Sequence, residues 1–229
     1  MDNGAEFRGV ITDWGGVLTT PLLAAVRAWV EAEDVDWDSY RAVMREWVYH
    51  QAYGADGVEN PVHALERGEC PAAEFERILA ARLIRTDGGP VAAEGLLRRM
   101  FTASVPVPAM YRIIRALRSA GFSTALLSNS WGSEGYPRAD FPGLFDTVVI
   151  SGEVGLRKPE KDIFLLAAQA LGLTPEECVF IDDISENVAA AVACGMTGVL
   201  HSDPAATAAA LEDLLGVPLG ATAPGRPVR

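Results

Sequence analysis

The sequence predicts an α/β protein with a doubly wound, Rossmann-like parallel sheet and an all-helical segment inserted after the first strand. Short apolar runs alternate with amphipathic helical stretches between residues 106 and 215, which is typical of βαβ units covered on both faces. Residues 20–105 instead carry helical spacing throughout and no strand pattern. We therefore expect a core of residues 1–19 and 106–215, a helical cap of residues 20–105, and a loosely held tail of residues 216–229.

The first strand and the inserted helices have recognisable boundaries. Val10–Asp13 is a short apolar run that ends in a carboxylate before Gly15-Gly16, as a buried parallel strand does where it opens into a loop. Thr20-Pro21 has the residues of a helix N-cap followed by a first-turn proline. Asn60-Pro61 and Cys70-Pro71 each begin a further helix of the cap.

The remaining elements alternate between strand and helix. Ser185 is expected to cap the helix that begins near Asn187, since serine is favoured at that position. In chain order, the pattern predicts a helix over Met110–Leu117, strands at Ser123–Leu127 and Thr147–Ile150, a helix at Asp162–Leu171, a strand at Val179–Ile181, a helix at Asn187–Cys194, a strand at Gly198–Leu200 and a helix from Asp203-Pro204 through Leu215.

Composition excludes several classes of function. The 229 residues include 19 Lys and Arg against 31 Asp and Glu, which gives a net charge of −12. Such a chain repels nucleic-acid phosphates and anionic lipid, so we expect neither partner. No apolar run reaches the roughly 18 residues of a membrane span, and no secretory signal precedes the first strand. The cysteines are scattered, at Cys70, Cys178 and Cys194, and this indicates reduced thiols rather than disulfides. We therefore expect a cytoplasmic protein.

Polar side chains gather where the predicted strands end, which is where ligands bind in such sheets. They are Asp13, Ser128-Asn129 and Asp182-Asp183, with Lys158 in a Gly-Leu-Arg-Lys-Pro loop. Carboxylates that share a site repel each other unless a hard cation such as Mg²⁺ neutralises them. A carboxylate can also form a covalent aspartyl-phosphate, while lysine and serine hold phosphate oxygens. The pattern indicates metal-assisted phosphoryl transfer.

Four segments resemble, in order, the motifs of the haloacid dehalogenase (HAD) superfamily: VITDWGGVLT, LLSNS, GLRKPEKDIF and VFIDDISENVAAA. The inserted helices take the place of that superfamily's cap. Within it, the chain resembles the phosphatase-like N-terminal domain of soluble epoxide hydrolase and related sugar-phosphate phosphatases. Their cap carries an Arg-Gly-Glu…Glu-Phe stretch like Arg67-Gly68-Glu69…Glu74-Phe75 here. The resemblance implies a Mg²⁺-dependent hydrolase, most simply a phosphatase of a small phosphorylated metabolite.

The resemblance also implies roles for individual residues. Asp13 matches the nucleophile, and Lys158 matches the lysine that pairs with nucleophile and phosphate. Ser128 and its neighbour Asn129 match the second motif and are expected to bind phosphate or substrate.

The metal ligands follow from the same motifs. The resemblance implies that Asp13, Asp183 and the backbone carbonyl of Gly15 hold Mg²⁺, with Asp182 binding it directly or through water. Gly15 is also the main departure, because family phosphatases usually place an aspartate there as general acid/base. Losing such a group costs about 10²–10⁴-fold in rate. Slow turnover, a good leaving group or an acid from the cap are the three ways to accommodate that loss.

Two other functions compete with the phosphatase. In a 2-haloacid dehalogenase the aspartate attacks carbon without Mg²⁺; Asp182-Asp183 would then leave unneutralised charge beside a carboxylate substrate. A catalytically weakened HAD-fold binding or regulatory protein is the alternative from another class. Among secondary candidates, Trp47 or Tyr49 is expected to face substrate, and Asn187 fits either a site role or a helix start. Arg157 meets either an anionic substrate or water.

Overall fold

A computed structural model of the chain describes residues 6–49, 60–132 and 135–219. The described residues form a five-stranded sheet and ten α-helices. Every helix in these ranges is too short or too polar to cross a lipid bilayer.

The sheet is entirely parallel and has the order β3-β2-β1-β4-β5. Its strands are β1 (Gly9–Thr12), β2 (Ser123–Ser128), β3 (Thr147–Ile150), β4 (Cys178–Asp182) and β5 (Thr197–Leu200). In the centre, Ile11 of β1 lies between Ala125 of β2 and Phe180 of β4. The order of the strands reverses between β1 and β4, so ligands are expected at the carboxyl ends of these two strands.

Core helices cover both faces of the sheet, which confirms the doubly wound α/β prediction. They are α6 (Pro108–Ser119), α7 (Ser151–Val154), α8 (Lys161–Ala170), α9 (Ser185–Ala193) and α10 (Pro204–Leu215). Successive side chains of a strand point to opposite faces. Val10 accordingly packs in the apolar cluster formed with α6 and α10, and Ile11 packs in the cluster formed with α8 and α9.

Helices are the main regular elements of the cap in the residues that the structure describes, joined by turns and by two isolated antiparallel bridges, Val35–Arg85 and Ile84–Pro90. Its helices are α1 (Leu22–Ala32), α2 (Trp37–Met44), α3 (Pro61–Glu66), α4 (Ala72–Ala80) and α5 (Leu96–Met100), with a π-helical turn at Arg45–Tyr49. Trp29, Phe75 and Leu79 are buried in its own apolar cluster. The cap therefore has a core separate from the two beside the sheet.

The chain crosses between core and cap twice, and the two crossings pair with each other. Thr19 forms an antiparallel bridge with Pro106, and the Thr20 N–H donates to the Val105 carbonyl. The hydroxyl of Thr20 accepts a hydrogen bond from the Val105 N–H at 3.2 Å. The prediction that Thr20 is an N-cap is therefore wrong: this pairing uses its side chain, and α1 begins at Leu22 without a side-chain cap.

Two further expectations differ from the structure. Ser185 is the first residue of α9 and donates to Glu186, so it is not the cap; the Ile184 N–H is bound by Asp182 Oδ1 instead. Leu219, expected in a loose tail, is buried against the core, and its N–H donates to Glu212. The rest of the tail, residues 220–229, lies outside the described residues.

Candidate active site

The carboxyl ends of β1, β2 and β4 bring the predicted polar residues to one edge of the sheet. Ser128 is the last residue of β2 and Asp182 the last of β4. Asp13 directly follows β1, and its N–H donates to the Ile181 carbonyl at 2.8 Å. The ladder between β1 and β4 thus extends to Asp13 and holds its backbone beside Asp182.

Lys158 lies between two carboxylates and is itself only 1% exposed. Its Nζ is 2.7 Å from Asp13 Oδ1 and 2.6 Å from Asp182 Oδ2. The side-chain amide of Asn129 fixes the lysine's backbone: Asn129 Oδ1 accepts from the Lys158 N–H at 2.8 Å, and Nδ2 donates to the Lys158 carbonyl at 3.0 Å. Asn129, expected to bind phosphate or substrate, therefore uses both ends of its amide to position Lys158.

Asp182 is fully buried, and both of its oxygens have partners within the chain. Oδ2 binds Lys158, Oδ1 accepts from the Ile184 N–H at 2.8 Å, and Asn187 Nδ2 lies 3.1–3.2 Å from both oxygens. Asn187 thus belongs to the site through Asp182. Its place in the first turn of α9, five residues after Asp182, is a signal equally consistent with a helix start.

Asp183 has different surroundings from Asp182. Its Oδ1 is buried without a hydrogen-bond partner among the described residues. Gly16 has a φ of 81°, and a Cβ added there would lie 2.1 Å from Asp183 Oδ2, so only glycine lets this carboxylate lie against the turn after β1. One oxygen each from Asp13, Asp182 and Asp183 lies within 4.8 Å of the others.

Three carboxylates surround one lysine, and their burial and charges shift the pKa values of these groups. Burial raises the pKa of Asp13 to about 7; Lys158 opposes this rise and Asp182 adds to it. Burial and the charge of Asp182 also raise the pKa of Asp183. Burial alone lowers the pKa of Lys158, but the charges of Asp13 and Asp182 outweigh that effect and raise it above its ordinary value. The site therefore has more negative charge than its lysine neutralises.

This donor set fits a hard divalent cation. The clustered carboxylates offer oxygen ligands, which Mg²⁺ prefers. A buried oxygen without a hydrogen-bond partner, as in Asp183, is costly unless something else binds it. A cation in this position would bind that oxygen and offset the excess charge.

The space next to the nucleophile is open at Gly15. Apart from its two chain neighbours, no atom of the described residues lies within 4 Å of the position that a Cβ at Gly15 would occupy, and its φ is not positive. No side chain at this position can therefore exchange a proton with a leaving group. At the end of β2, Ser128 Oγ is 2.8 Å from the hydroxyl of Tyr136.

Comparison with known proteins identifies the family. The family model for haloacid dehalogenase-like hydrolases matches residues 7–195. The protein is a HAD-like hydrolase. Solved HAD structures share the fold: an enzyme from Bacteroides thetaiotaomicron superposes with a TM-score of 0.59 at 20% identity, covering 86% of this chain and 94% of that one. A structure described as a dehalogenase gives a TM-score of 0.59 at 19% identity, covering 86% and 85%.

Curated relatives of this HAD hydrolase differ greatly in length. Acyl-CoA dehydrogenase family member 10 of Mus musculus is 31% identical over 99% of this chain, which spans 21% of that protein. Bifunctional epoxide hydrolase 2 of Sus scrofa is 25% identical over 93% of this chain and 39% of its own length. Hexitol phosphatase A of Escherichia coli is 28% identical over 87% of this chain and 85% of its own length.

The cap of this HAD hydrolase is joined to the catalytic loops by a buried carboxylate. Glu66, at the end of α3, accepts from Arg157 Nε at 2.5 Å and from Trp131 Nε1 at 3.2 Å. Its backbone carbonyl accepts from Ser151 Oγ at 2.5 Å. Arg157, which the sequence leaves to an anionic substrate or to water, is paired with Glu66 instead. No local signal in the sequence marks Glu66 for this contact.

Of the two aromatic residues expected to face substrate, Trp47 packs inside the cap. Trp47 is buried in the cap, with its ring 5.8 Å from Phe75. The expectation that it faces substrate is wrong for this side chain, because helical spacing turns it toward the cap's own core; the side chain of Tyr49 lies outside the described residues. Trp131 also enters this cluster, with Phe75 and Phe101 at 5.8 and 5.9 Å.

Proposed function

We propose that this HAD hydrolase is a Mg²⁺-dependent phosphatase that removes phosphate from a small metabolite through an aspartyl-phosphate on Asp13. One arrangement carries the proposal: Asp13 is held 2.7 Å from the buried Lys158, and a carboxylate oxygen of Asp183 lies within 4.8 Å of one of Asp13. The relationship to hexitol phosphatase A supports the substrate class. The Bacteroides HAD enzyme was solved with magnesium and inorganic phosphate, so this fold accommodates both in that protein.

The metal ligands in this proposal are Asp13, Asp183 and the Gly15 carbonyl. Mg²⁺ supplies charge neutralisation and polarises the phosphoryl oxygens when bound. Asp182 is assigned a different role, because Lys158, Asn187 and the Ile184 N–H already use its oxygens. It keeps Lys158 charged and in place.

The chemistry of the chain has two halves. A carboxylate oxygen of Asp13 attacks phosphorus and the P–O bond to the substrate breaks as the aspartyl-phosphate forms; the leaving oxygen departs as an aryl oxide, or as an alcohol once it takes a proton from water. Water then attacks phosphorus, the bond to Asp13 breaks, and inorganic phosphate leaves with the carboxylate restored. Lys158 and Ser128 stabilise charge on the phosphoryl oxygens in both halves.

The glycine at position 15 favours substrates with good leaving groups. An alkoxide needs a proton as it departs, and no side chain at Gly15 supplies one. An aryl oxide leaves without a proton, so for it the first half is nearly unimpaired. In the second half, no side chain at position 15 can activate the attacking water in either case.

A screen of phosphorylated metabolites, with Mg²⁺ and with chelator, tests the function. We expect phosphate release that requires Mg²⁺ and falls at least about 10³-fold in Asp13→Asn, because the amide is not a nucleophile. Asp213→Asn, an exposed aspartate on α10, is the matched control and keeps full activity. Hydrolysis that survives both chelation and Asp13→Asn contradicts the proposal.

Measurements of halide release and of ligand binding separate the two alternatives from the phosphatase. A 2-haloacid dehalogenase releases halide from 2-chloropropionate without Mg²⁺, whereas the cluster around Asp13 disfavours a second carboxylate from the substrate. A binding or regulatory protein binds phosphorylated ligands with no turnover in any condition.

A further inference from the structure

Tyr136 contacts the serine of the second motif from the loop that follows β2. Its hydroxyl is 2.8 Å from Ser128 Oγ, and Ser128 is only 2% exposed. The other hydrogen bond of this Oγ, to the Asn129 carbonyl, is long at 3.5 Å. The phenol is therefore the main partner that orients the serine hydroxyl.

Aromatic neighbours hold the ring of Tyr136 in place. Its centroid lies 5.6 Å from Trp14, the residue directly after the nucleophile, and 6.3 Å from Phe141. Aromatic pairs at these distances have preferred geometries that restrict ring rotation. The hydroxyl is thus presented to Ser128 before any substrate binds.

The chemistry of phosphate determines the direction of this hydrogen bond. A serine hydroxyl has one proton and two lone pairs, and the oxygens of a phosphate dianion only accept. To bind phosphate, Ser128 must donate its proton there and accept from Tyr136. Burial raises the pKa of Tyr136 to about 12, with a smaller opposing contribution from Ser128. The phenol therefore keeps its proton at neutral pH.

We propose that Tyr136 is a positioning residue that donates to Ser128 and so directs the serine proton toward the phosphoryl group. The proposal rests on the phosphatase function proposed above. It assigns to a loop residue outside the four motifs a part in recognising both the substrate and the phosphate product.

Tyr136→Phe tests the proposal because it removes the hydroxyl and keeps the ring. We expect kcat/KM for p-nitrophenyl phosphate to fall about 5–10-fold, and inorganic phosphate to bind the Mg²⁺-loaded protein more weakly by a similar factor, as for one neutral hydrogen bond. Tyr111→Phe is the matched control. Its ring packs on the same Trp14 at 6.4 Å, but its hydroxyl has no partner among the described residues. Its kinetics should match those of the wild type.

A double-mutant cycle with Ser128→Ala separates positioning from packing. If Tyr136 acts through Ser128, adding Tyr136→Phe to Ser128→Ala changes kcat/KM by less than about 2-fold. An equal loss in both backgrounds, or a Tyr136→Phe variant indistinguishable from wild type, overturns this inference and leaves the phosphatase intact. A wild-type protein that neither hydrolyses the ester nor binds phosphate in calorimetry with Mg²⁺ overturns both.

Discussion

The adjacent carboxylates of Asp182 and Asp183 lie on two sides of the site and differ in their hydrogen-bond partners. On the lysine side (Asp13, Lys158, Asp182 and Asn187), the oxygens of Asp182 all bind groups of the chain. On the open side (Gly15, Gly16 and Asp183), a buried carboxylate oxygen has no partner within the described residues.

The difference shows what each carboxylate contributes. Asp182 is an internal counter-ion that the protein needs in order to bury Lys158. Asp183 has a buried oxygen without a hydrogen-bond partner among the described residues, as its proposed role as a metal ligand requires. Adjacent residues of one type thus have separate roles because their surroundings differ.

The largest expected effect tests the space on the open side. With p-nitrophenyl phosphate, the wild type should show a burst of nitrophenol followed by slow turnover, because position 15 offers no side chain to activate the water that hydrolyses the aspartyl-phosphate. Gly15→Asp should accelerate the slow phase by about 10²-fold or more, since the added Cβ meets no atom of the described residues within 4 Å, its chain neighbours aside. Stopped-flow absorbance measures both phases. Burst-free, rapid hydrolysis of alkyl phosphates by the wild type would show that another group supplies the proton.

The second effect concerns stability: Asp182→Asn and Asp183→Asn should change the free energy of unfolding differently. Asp182→Asn removes a partner of the buried Lys158 and should lower the free energy of unfolding by about 3 kcal/mol. Asp183→Asn, measured in the same chelator-containing urea titrations, should be neutral or stabilising, because burial and the charge of Asp182 disfavour the ionised carboxylate of Asp183 and raise its pKa. Equal losses in the two variants would mean that the two sides do not differ as described.

The smallest effect sharpens the assignment of the metal. Mg²⁺ should raise the melting temperature of the wild type, as any ligand that binds only the folded state does. Asp183→Asn should weaken Mg²⁺ affinity at least about tenfold, the equivalent of about 1.4 kcal/mol. Differential scanning fluorimetry across a Mg²⁺ series measures the shift, with Ca²⁺ as a comparison ion and Asp213→Asn as the control. An unchanged Mg²⁺ response in Asp183→Asn would remove this residue from the ligand set.

Local sequence signals account for most of the fold. The apolar run before Asp13 predicts β1, the run Thr147–Ile150 matches β3, and Asp203 caps α10 through the N–H groups of Ala205 and Ala206. Thr20 shows where such signals fail. An N-cap pattern depends only on residues of its own helix. In the structure, the Thr20 hydroxyl instead accepts from the Val105 N–H, in the second crossing between core and cap.

The site was predictable only where strand ends carry polar residues. Asp13 and Asp182 meet because their parallel strands end at one edge of the sheet, and Lys158 reaches both from the loop before α8. Tyr136 lies in a loop without periodicity, so nothing in the sequence connects it to Ser128. Glu66 contacts a residue 91 positions away, and its partner became visible only once the chain was folded.

The carboxylate of Glu66 bears on how firmly the cap is attached to the core. Any hinge motion that lifts α3 from the sheet must separate Glu66 from both Arg157 and Trp131. The ion pair is well shielded, with 15% and 8% of the two side chains exposed, so leaving either charge unpaired is costly. We therefore expect Glu66, together with the ion pair between Arg67 and Glu160, to oppose separation of the cap from the core.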